Sequence, residues 1–284
     1  MVNYVGSQEM EVLGAWVSAI GTISSAISAT PMRRLKGKER EEWENISELL
    51  EFAGNSFQAI GNIISAFLGE SSPLEVTGEI IQSSGNITVL FSLIKAKENI
   101  KKAIKLSITG NSQQAFGALL AALDELTDDE IDITGVSGNI LQSIGNTLQA
   151  IAGLIELELV KLKEIFKKGP EGEVSDLSDG VIFNELQEFL GEIESNELVK
   201  QYEELVLLLK YSGSWIQAAG SIVTVYAEQK ELNKIKKEQK ILEKKKLNKK
   251  KKKKERKNSS EEPLKLEKKS STPKYSIVRK KSPD

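Results

Sequence analysis

Six stretches of the chain set apolar residues around nearly the whole helical circumference, carry almost no charge, and hold two glycines seven residues apart. They read GAWVSAIGTISSAISA from Gly14, GNSFQAIGNIISAFLG from Gly54, GEIIQSSGNITVLFSL from Gly78, GNSQQAFGALLAALDE from Gly110, GNILQSIGNTLQAIAG from Gly138 and GSWIQAAGSIVTVYAE from Gly213. Their common pattern is glycine, often Asn, any residue, apolar, Gln, small, apolar or small, glycine, then Asn, Ser or Thr and an apolar run. This spacing predicts helices near 14–29, 54–69, 78–93, 110–125, 138–153 and 213–228. Seven residues are two helical turns, so Gly54, Gln58 and Gly61 share one stripe, as do Gly78, Gln82 and Gly85. The same stripe holds Gly14 and Gly21; Gly110, Gln114 and Gly117; Gly138, Gln142 and Gly145; and Gly213, Gln217 and Gly220. A glycine inside a helix costs about 1 kcal/mol relative to alanine. Tight helix packing offsets that cost, because a bare stripe lets a neighbouring backbone approach and gain dispersion contacts, with the glutamine pairing across the seam. Phe57, Ile60, Ile64 and Phe67 flank the stripe in the second copy, and a helix apolar on nearly every side is expected at the buried centre of a bundle.

The copies start 40, 24, 32, 28 and 75 residues apart, unlike a fixed-period solenoid. A seventh, eroded copy around Leu186 to Ile193 is too weak to count. Between the copies lie ordinary amphipathic segments: KGKEREEWENISELL at Lys36–Leu50, KAKENIKKAIKL at Lys95–Leu106 and NELVKQYEELVLLLK from Asn196. They are expected to clothe the repeat helices, with breaks at Pro31, Pro73 and Pro170. Strand signals are weak throughout. The expected fold is all-α, a multi-helix bundle of close-packed glycine-heptad helices with a basic helical C-terminal extension.

Charge divides this chain of 284 residues. Residues 228–284 hold 23 Lys+Arg and 9 Asp+Glu, net +14, while residues 1–227 hold 16 and 32, net −16. The division predicts a helical repeat domain at 1–227, a lysine-rich charged helix at 228–257 and a disordered tail at 258–284. Lys244, Lys245, Lys246, Lys249, Lys250, Lys251, Lys252, Lys253, Lys254, Arg256 and Lys257 form the candidate polyanion-binding block. Its expected partner is nucleic acid or an anionic membrane surface, bound without sequence specificity. Docking back onto the acidic 1–227 segment is the alternative.

Cysteine and histidine are both absent. That removes disulfides, thiolate and imidazole metal sites, and the two commonest nucleophile and base chemistries. In DELTDDEIDITG, residues 124–135, Asp128, Glu130 and Asp132 alternate like calcium ligands, but Ile133 stands where the loop needs glycine and Asn139 where it needs glutamate. A capping box from Thr127 to Glu130 explains the run better; Ser175, Asp176, Ser178 and Asp179 likewise read as a loop and a helix start. The glycine-rich segments lack the lysine and Ser/Thr of a phosphate loop. No catalytic, metal or cofactor residue is nominated, and no small-molecule substrate.

The opening MVNYVGSQEMEVLG has neither the basic nor the apolar region of a secretory signal, so a cytoplasmic location is expected. Val12–Met32 and Ile133–Ile155 are uncharged over bilayer-spanning lengths, whereas Ile80–Ile94 is short for a span. The repeats GNILQSIGNTLQAIAG and SGSWIQAAGSIVTVYAEQKE resemble those of uncharacterised repetitive helical proteins of bacilli, with their tandem GNxxQxxGN segments. The resemblance covers roughly residues 10–230 and implies no activity and no functional residue. The expected function is a non-enzymatic interaction or scaffold protein whose tail binds an anionic partner, with self-association through the seams. The alternative is a membrane-active, inserting or pore-forming bundle.

Overall fold

The computed structural model describes residues 2–32, 34–69, 71–127, 131–168 and 197–260. Every element among them is a helix: α1 Val2–Ser28, α2 Gly37–Leu68, α3 Pro73–Ala96, α4 Ile100–Thr127, α5 Ile133–Lys168 and α6 Glu197–Ser260. The chain forms two compact units, residues 1–236 and 237–284, and α6 runs from the first into the second. The region around Leu186–Ile193, Pro170, the Ser175–Asp179 segment and residues 261–284 lie outside the described residues.

Local chemistry sets the helix ends. Pro73 takes the first position of α3, where its missing N–H is no loss, and the Ser72 hydroxyl accepts from the Leu74 and Glu75 N–H groups. Ahead of α5 the Asp132 carboxylate accepts from the Thr134 N–H. Thr127 is therefore no N-cap: it ends α4 and donates its hydroxyl to the Asp124 carbonyl. Asp128 and Glu130 lie outside the described residues. The amphipathic spacers form no separate outer layer. No proline separates them from the repeats, so Lys38–Leu50 is the first half of α2, 197–210 the start of α6, and 95–106 is shared by α3 and α4.

Within residues 1–236 each helix packs on the next, α1 on α2 through to α4 on α5. α6 closes the ring onto α1. Trp215 Nε1 donates to Thr30 Oγ1 at 3.1 Å, Gln8 Nε2 donates to Glu228 Oε2 at 2.8 Å, and Lys236 pairs with Glu9 at 2.8 Å.

The glycine stripes meet in three antiparallel hairpins. Gly14 opposes Gly61 and Gly21 opposes Gly54 between α1 and α2; Gly78 opposes Gly117 and Gly85 opposes Gly110 between α3 and α4; Gly138 opposes Gly220 and Gly145 opposes Gly213 between α5 and α6. At all twelve positions a Cβ would come within 3.0 Å of the facing glycine's carbonyl oxygen, which leaves no room for alanine. Backbone thus packs directly on backbone, the arrangement that replaces hydrophobic burial where helices associate in an apolar medium.

The apolar residues of the repeats point the other way. Phe57, Ile60 and Phe67 are exposed, and Ile64 is half-buried. This corrects the expectation of helices buried on every side: with glycines facing the seam and polar residues facing the ring's interior, only the outside is left for large apolar side chains. Among the described residues of the six uncharged runs, 12–32, 52–69, 80–94, 106–123, 133–155 and 211–227, the largest buried aliphatic side chains are Val12, Val89, Val136 and Val225. The other buried positions there are Ala, Gly, Ser, Thr, Asn and Gln. Only beyond those runs do Leu and Ile side chains become buried, alongside others that stay exposed, such as Leu49 and Leu208. Ile104, Leu157, Leu159, Val206, Leu232 and Ile235 are buried, and ion pairs such as Lys163–Glu203 and Lys210–Glu156, both at 2.6 Å, lie outside.

Candidate functional site

The polar interior lies along the axis of the ring. On α6 the residues Ser214, Gln217, Ser221, Thr224 and Glu228 recur every three or four positions and so face one direction. All five line cavities on that axis. At mid-height the repeat glutamines of the second helix in each hairpin converge. Gln217 Nε2 donates to Gln58 Oε1 at 2.8 Å and to Gln114 Oε1 at 3.2 Å, while Gln149 Nε2 donates to Gln217 Oε1 at 3.0 Å. Across the seams, where pairing with an amide or exposed carbonyl was expected, Gln58 donates instead to the Ser25 hydroxyl at 3.2 Å and Gln142 to the Thr224 hydroxyl at 3.0 Å, and the Gln149–Gln217 bond is the amide pair between α5 and α6. The layer joining three hairpins goes beyond that expectation.

Two cavities flank this layer. One, of about 50 Å³, receives residues from all six helices, including Ser18, Gln82 and Gln142 and four carboxylates: Glu11, Glu75, Glu79 and Glu228. Among the described residues no lysine or arginine lines it. Uncharged donors hold the acids instead: Ser71 Oγ to Glu11, Ser72 Oγ to Asp124, and Asn139 Nδ2 to Glu125 at 2.8 Å. Outside the uncharged runs, burial and then the negative charges of Glu11 and Asp124 push the Glu75 carboxyl up to about 7. Burial, with Glu75, Glu11 and Glu125 nearby, raises Glu228 well above the usual carboxylate range.

The second cavity, of about 460 Å³, opens on the other side of the layer and carries both signs of charge, with Arg40, Glu44, Glu51 and Lys210 in its wall. Burial raises Glu51, and Lys210 opposes the shift. Apart from Arg33, which lies outside the described residues, the basic residues of 1–227 fall in the segments 34–40, 95–105, 161–168 and 200–210, at this end of the helices. One end of the axis is therefore lined by carboxylates, and the other holds the described basic residues of 1–227, while Lys230 and Lys236 pair with Asp132 and Glu9 at the acidic end.

Of the residues singled out from sequence, Gly14, Gly21, Gly54, Gly61, Gly78, Gly85, Gly110, Gly117, Gly138, Gly145, Gly213 and Gly220 lie in the three seams, and Gln58, Gln82, Gln114, Gln142 and Gln217 line the axis. Lys244–Lys246 and Lys249–Lys254 are exposed along α6 in the second unit, whereas the side chains of Arg256 and Lys257 lie outside the described residues. Glu11, Glu75, Glu79, Asp124, Glu228 and Gln149 were not anticipated. Register was the available signal, since Glu75 and Glu79 precede Gln82 at helical spacing, as Ser221 and Thr224 lead to Glu228. Among the described residues no group of three or more acids is disposed to hold a metal ion.

By length and mean hydropathy, Val5–Ser28 alone among the described helices qualifies as a membrane span. In the other repeats the inward Gln, Asn, Ser and Gly lower the average, whatever the outward face carries.

Residues 9–168 match the model of a family of unknown function (DUF6944), from α1 to the end of α5. No curated protein and no solved structure matches the chain.

Proposed function

The chain belongs to this family of unknown function, and from that premise we propose that residues 1–236 are a membrane-embedded, non-enzymatic helical bundle enclosing a polar axis. The sorting of side chains carries this reading: inside the uncharged runs no Leu, Ile, Phe or Trp is buried, many of them are exposed, and small or polar residues fill the interior. A water-soluble bundle buries its large apolar residues, and contiguous exposed patches of this kind mark a surface meant for lipid or a partner.

The longer runs have the dimensions of a bilayer core, and 80–94 falls short of it. The uncharged runs of 15 to 23 residues are about 22 to 35 Å long at 1.5 Å per residue, against a hydrocarbon core of about 30 Å. Exposed Trp16 and Tyr226 stand near the carboxylate end of the runs, and Tyr211 and Trp215 near the other, where amphipathic rings prefer the headgroup boundary. All twelve seam glycines are engaged within one chain, so self-association would use the outward face, not the seams.

The exposed lysines of α6 favour a second role, binding anionic headgroups of the same membrane, each contributing about 1 kcal/mol near the surface. The likeness to repetitive helical proteins of bacilli is part of this proposal. The test is flotation of the full chain with phosphatidylcholine–phosphatidylglycerol vesicles, washed with high salt and then with alkaline carbonate. Retention through both washes is expected. Release by salt alone would leave only the lysine contact, and the reading of a soluble scaffold with a polyanion-binding tail would replace this one. Salt-sensitive capture by nucleic acid in place of vesicles would assign the tail to nucleic acid.

A further inference from the structure

Resting on the membrane reading, we propose that the axis of the bundle is a gated path for small cations, closed at the glutamine layer and made cation-selective by the carboxylate cavity. Three independent observations converge on it. A polar stripe runs along the axis: Ser214, Gln217, Ser221, Thr224 and Glu228 recur on one face of α6, spanning about 21 Å at 1.5 Å per residue. The two cavities are separated by a layer of side-chain amides whose hydrogen bonds join α2, α4, α5 and α6, a barrier that a rotamer change can open without moving a helix.

Polar capacity along the interior is also left over. Gln114 is 3 % exposed and its Nε2 has no hydrogen-bond partner, although it lines the larger cavity. Asn146 is 1 % exposed with neither amide atom paired, and Glu79 Oε2 at the acidic end is equally unpaired. Buried polar groups without partners are normally satisfied by water or an ion.

The sign of the permeant follows from the walls. Carboxylates on α1, α3 and α6 face the smaller cavity, Asp124 and Glu125 on α4 stand beside it, and α2 and α5 contribute Asn62, Ser65 and Asn139. Lys230 and Lys236 on α6 pair with Asp132 and Glu9 and do not line the cavity. Acidic side chains admit cations and reject anions where they are ionised; Glu75 ionises as pH rises through about 7, and in their neutral form these carboxyls are proton carriers. The shared chemistry is a small, hard positive species accepted by oxygen, either protons or alkali-metal ions.

The test uses the full chain reconstituted in phosphatidylcholine–phosphatidylglycerol vesicles, with carbonate resistance scored first. Failure to insert overturns the membrane reading itself and this path with it. In inserted protein, proton uptake driven by a valinomycin–potassium diffusion potential, sodium influx and chloride flux are measured separately. Gln217→Ala is expected to raise cation flux about tenfold or more over wild type; proton flux alone or sodium flux as well tells the two sources apart. Adding Glu75→Gln, Glu79→Gln and Glu228→Gln is expected to abolish the preference over chloride. Inserted, helical Gln217→Ala that passes no cation, or passes chloride equally, overturns the path.

Should Gln217→Ala lose its helical content, the absence of cysteine from the chain supplies a second measurement. Ser214→Cys and Ser221→Cys, on either side of an intact layer, are expected to react with a charged, membrane-impermeant thiol reagent from opposite faces of the vesicle. Reaction of neither, in inserted protein, overturns the proposal.

Discussion

Gly6 and Gly61 both sit inside helices, and their substitutions are expected to act in opposite directions. A Cβ at Gly6 meets nothing within 4 Å, whereas at Gly61 it falls 2.5 Å from the Gly14 carbonyl oxygen and 2.6 Å from the Ser18 nitrogen. Gly6→Ala should therefore gain up to about 1 kcal/mol of helix propensity, while Gly61→Ala should lose about 1–3 kcal/mol or more to overpacking. Thermal melting in detergent, with Gly145→Ala as a second seam variant, measures both. An unchanged melt for both seam variants would remove the argument that close approach selects glycine. At Glu75 the sign follows from linkage. A carboxyl raised from 4.5 to about 7 in the folded state favours folding fully below the lower value and loses that contribution as pH rises through the upper. The melting temperature should rise as pH falls from about 7 to about 4.5, and Glu75→Gln should flatten that dependence.

At the scale of the helix, the outward face predicts a position-dependent response to charge. Ile60→Lys and Phe116→Lys place an ammonium on the lipid-facing surface, where a basic residue at mid-depth costs about 2.5–3.5 kcal/mol on insertion scales; both should reduce carbonate-resistant insertion. Ile46→Lys, equally exposed but outside the uncharged runs, should leave it unchanged. Variants keeping only Trp16 or only Trp215 should be quenched by shallow brominated lipids more strongly than by deeply brominated ones. Helix identity and the seam glycines were legible in the sequence because the glycine heptad is a local, periodic signal. The facing of the flanking apolar residues was not. A helix apolar on several sides reads alike whether water, lipid or protein covers it, and only the pairing of Gly14 with Gly61 and its five counterparts fixes which side remains outside. Continuity of spacer and repeat was readable in principle, since Leu50 runs into Phe52 without a breaker.

For the whole molecule, the axis and the carboxylate cavity lay beyond the sequence for a different reason. Glu11, Glu75, Glu79 and Glu228 are separated by up to 217 positions and become neighbours only when the ring closes from α6 onto α1. The clustering of the basic residues of 1–227 was readable as numbers, but its meaning needed the fold, which sets the described ones at one end of the helices and the four carboxylates of the smaller cavity at the other. The seams also impose an order on biogenesis. During synthesis from the N-terminus, Gly14 and Gly21 find Gly61 and Gly54, then Gly78 and Gly85 find Gly117 and Gly110, each within a short length of new chain. Gly138 and Gly145 must wait for Gly220 and Gly213, 82 and 68 residues later. Through that interval a bare backbone stripe of α5 stands open, so an insertase or chaperone acting on this chain has its longest opportunity there, and a ribosome stalled before residue 213 would release two finished hairpins and one unpaired helix.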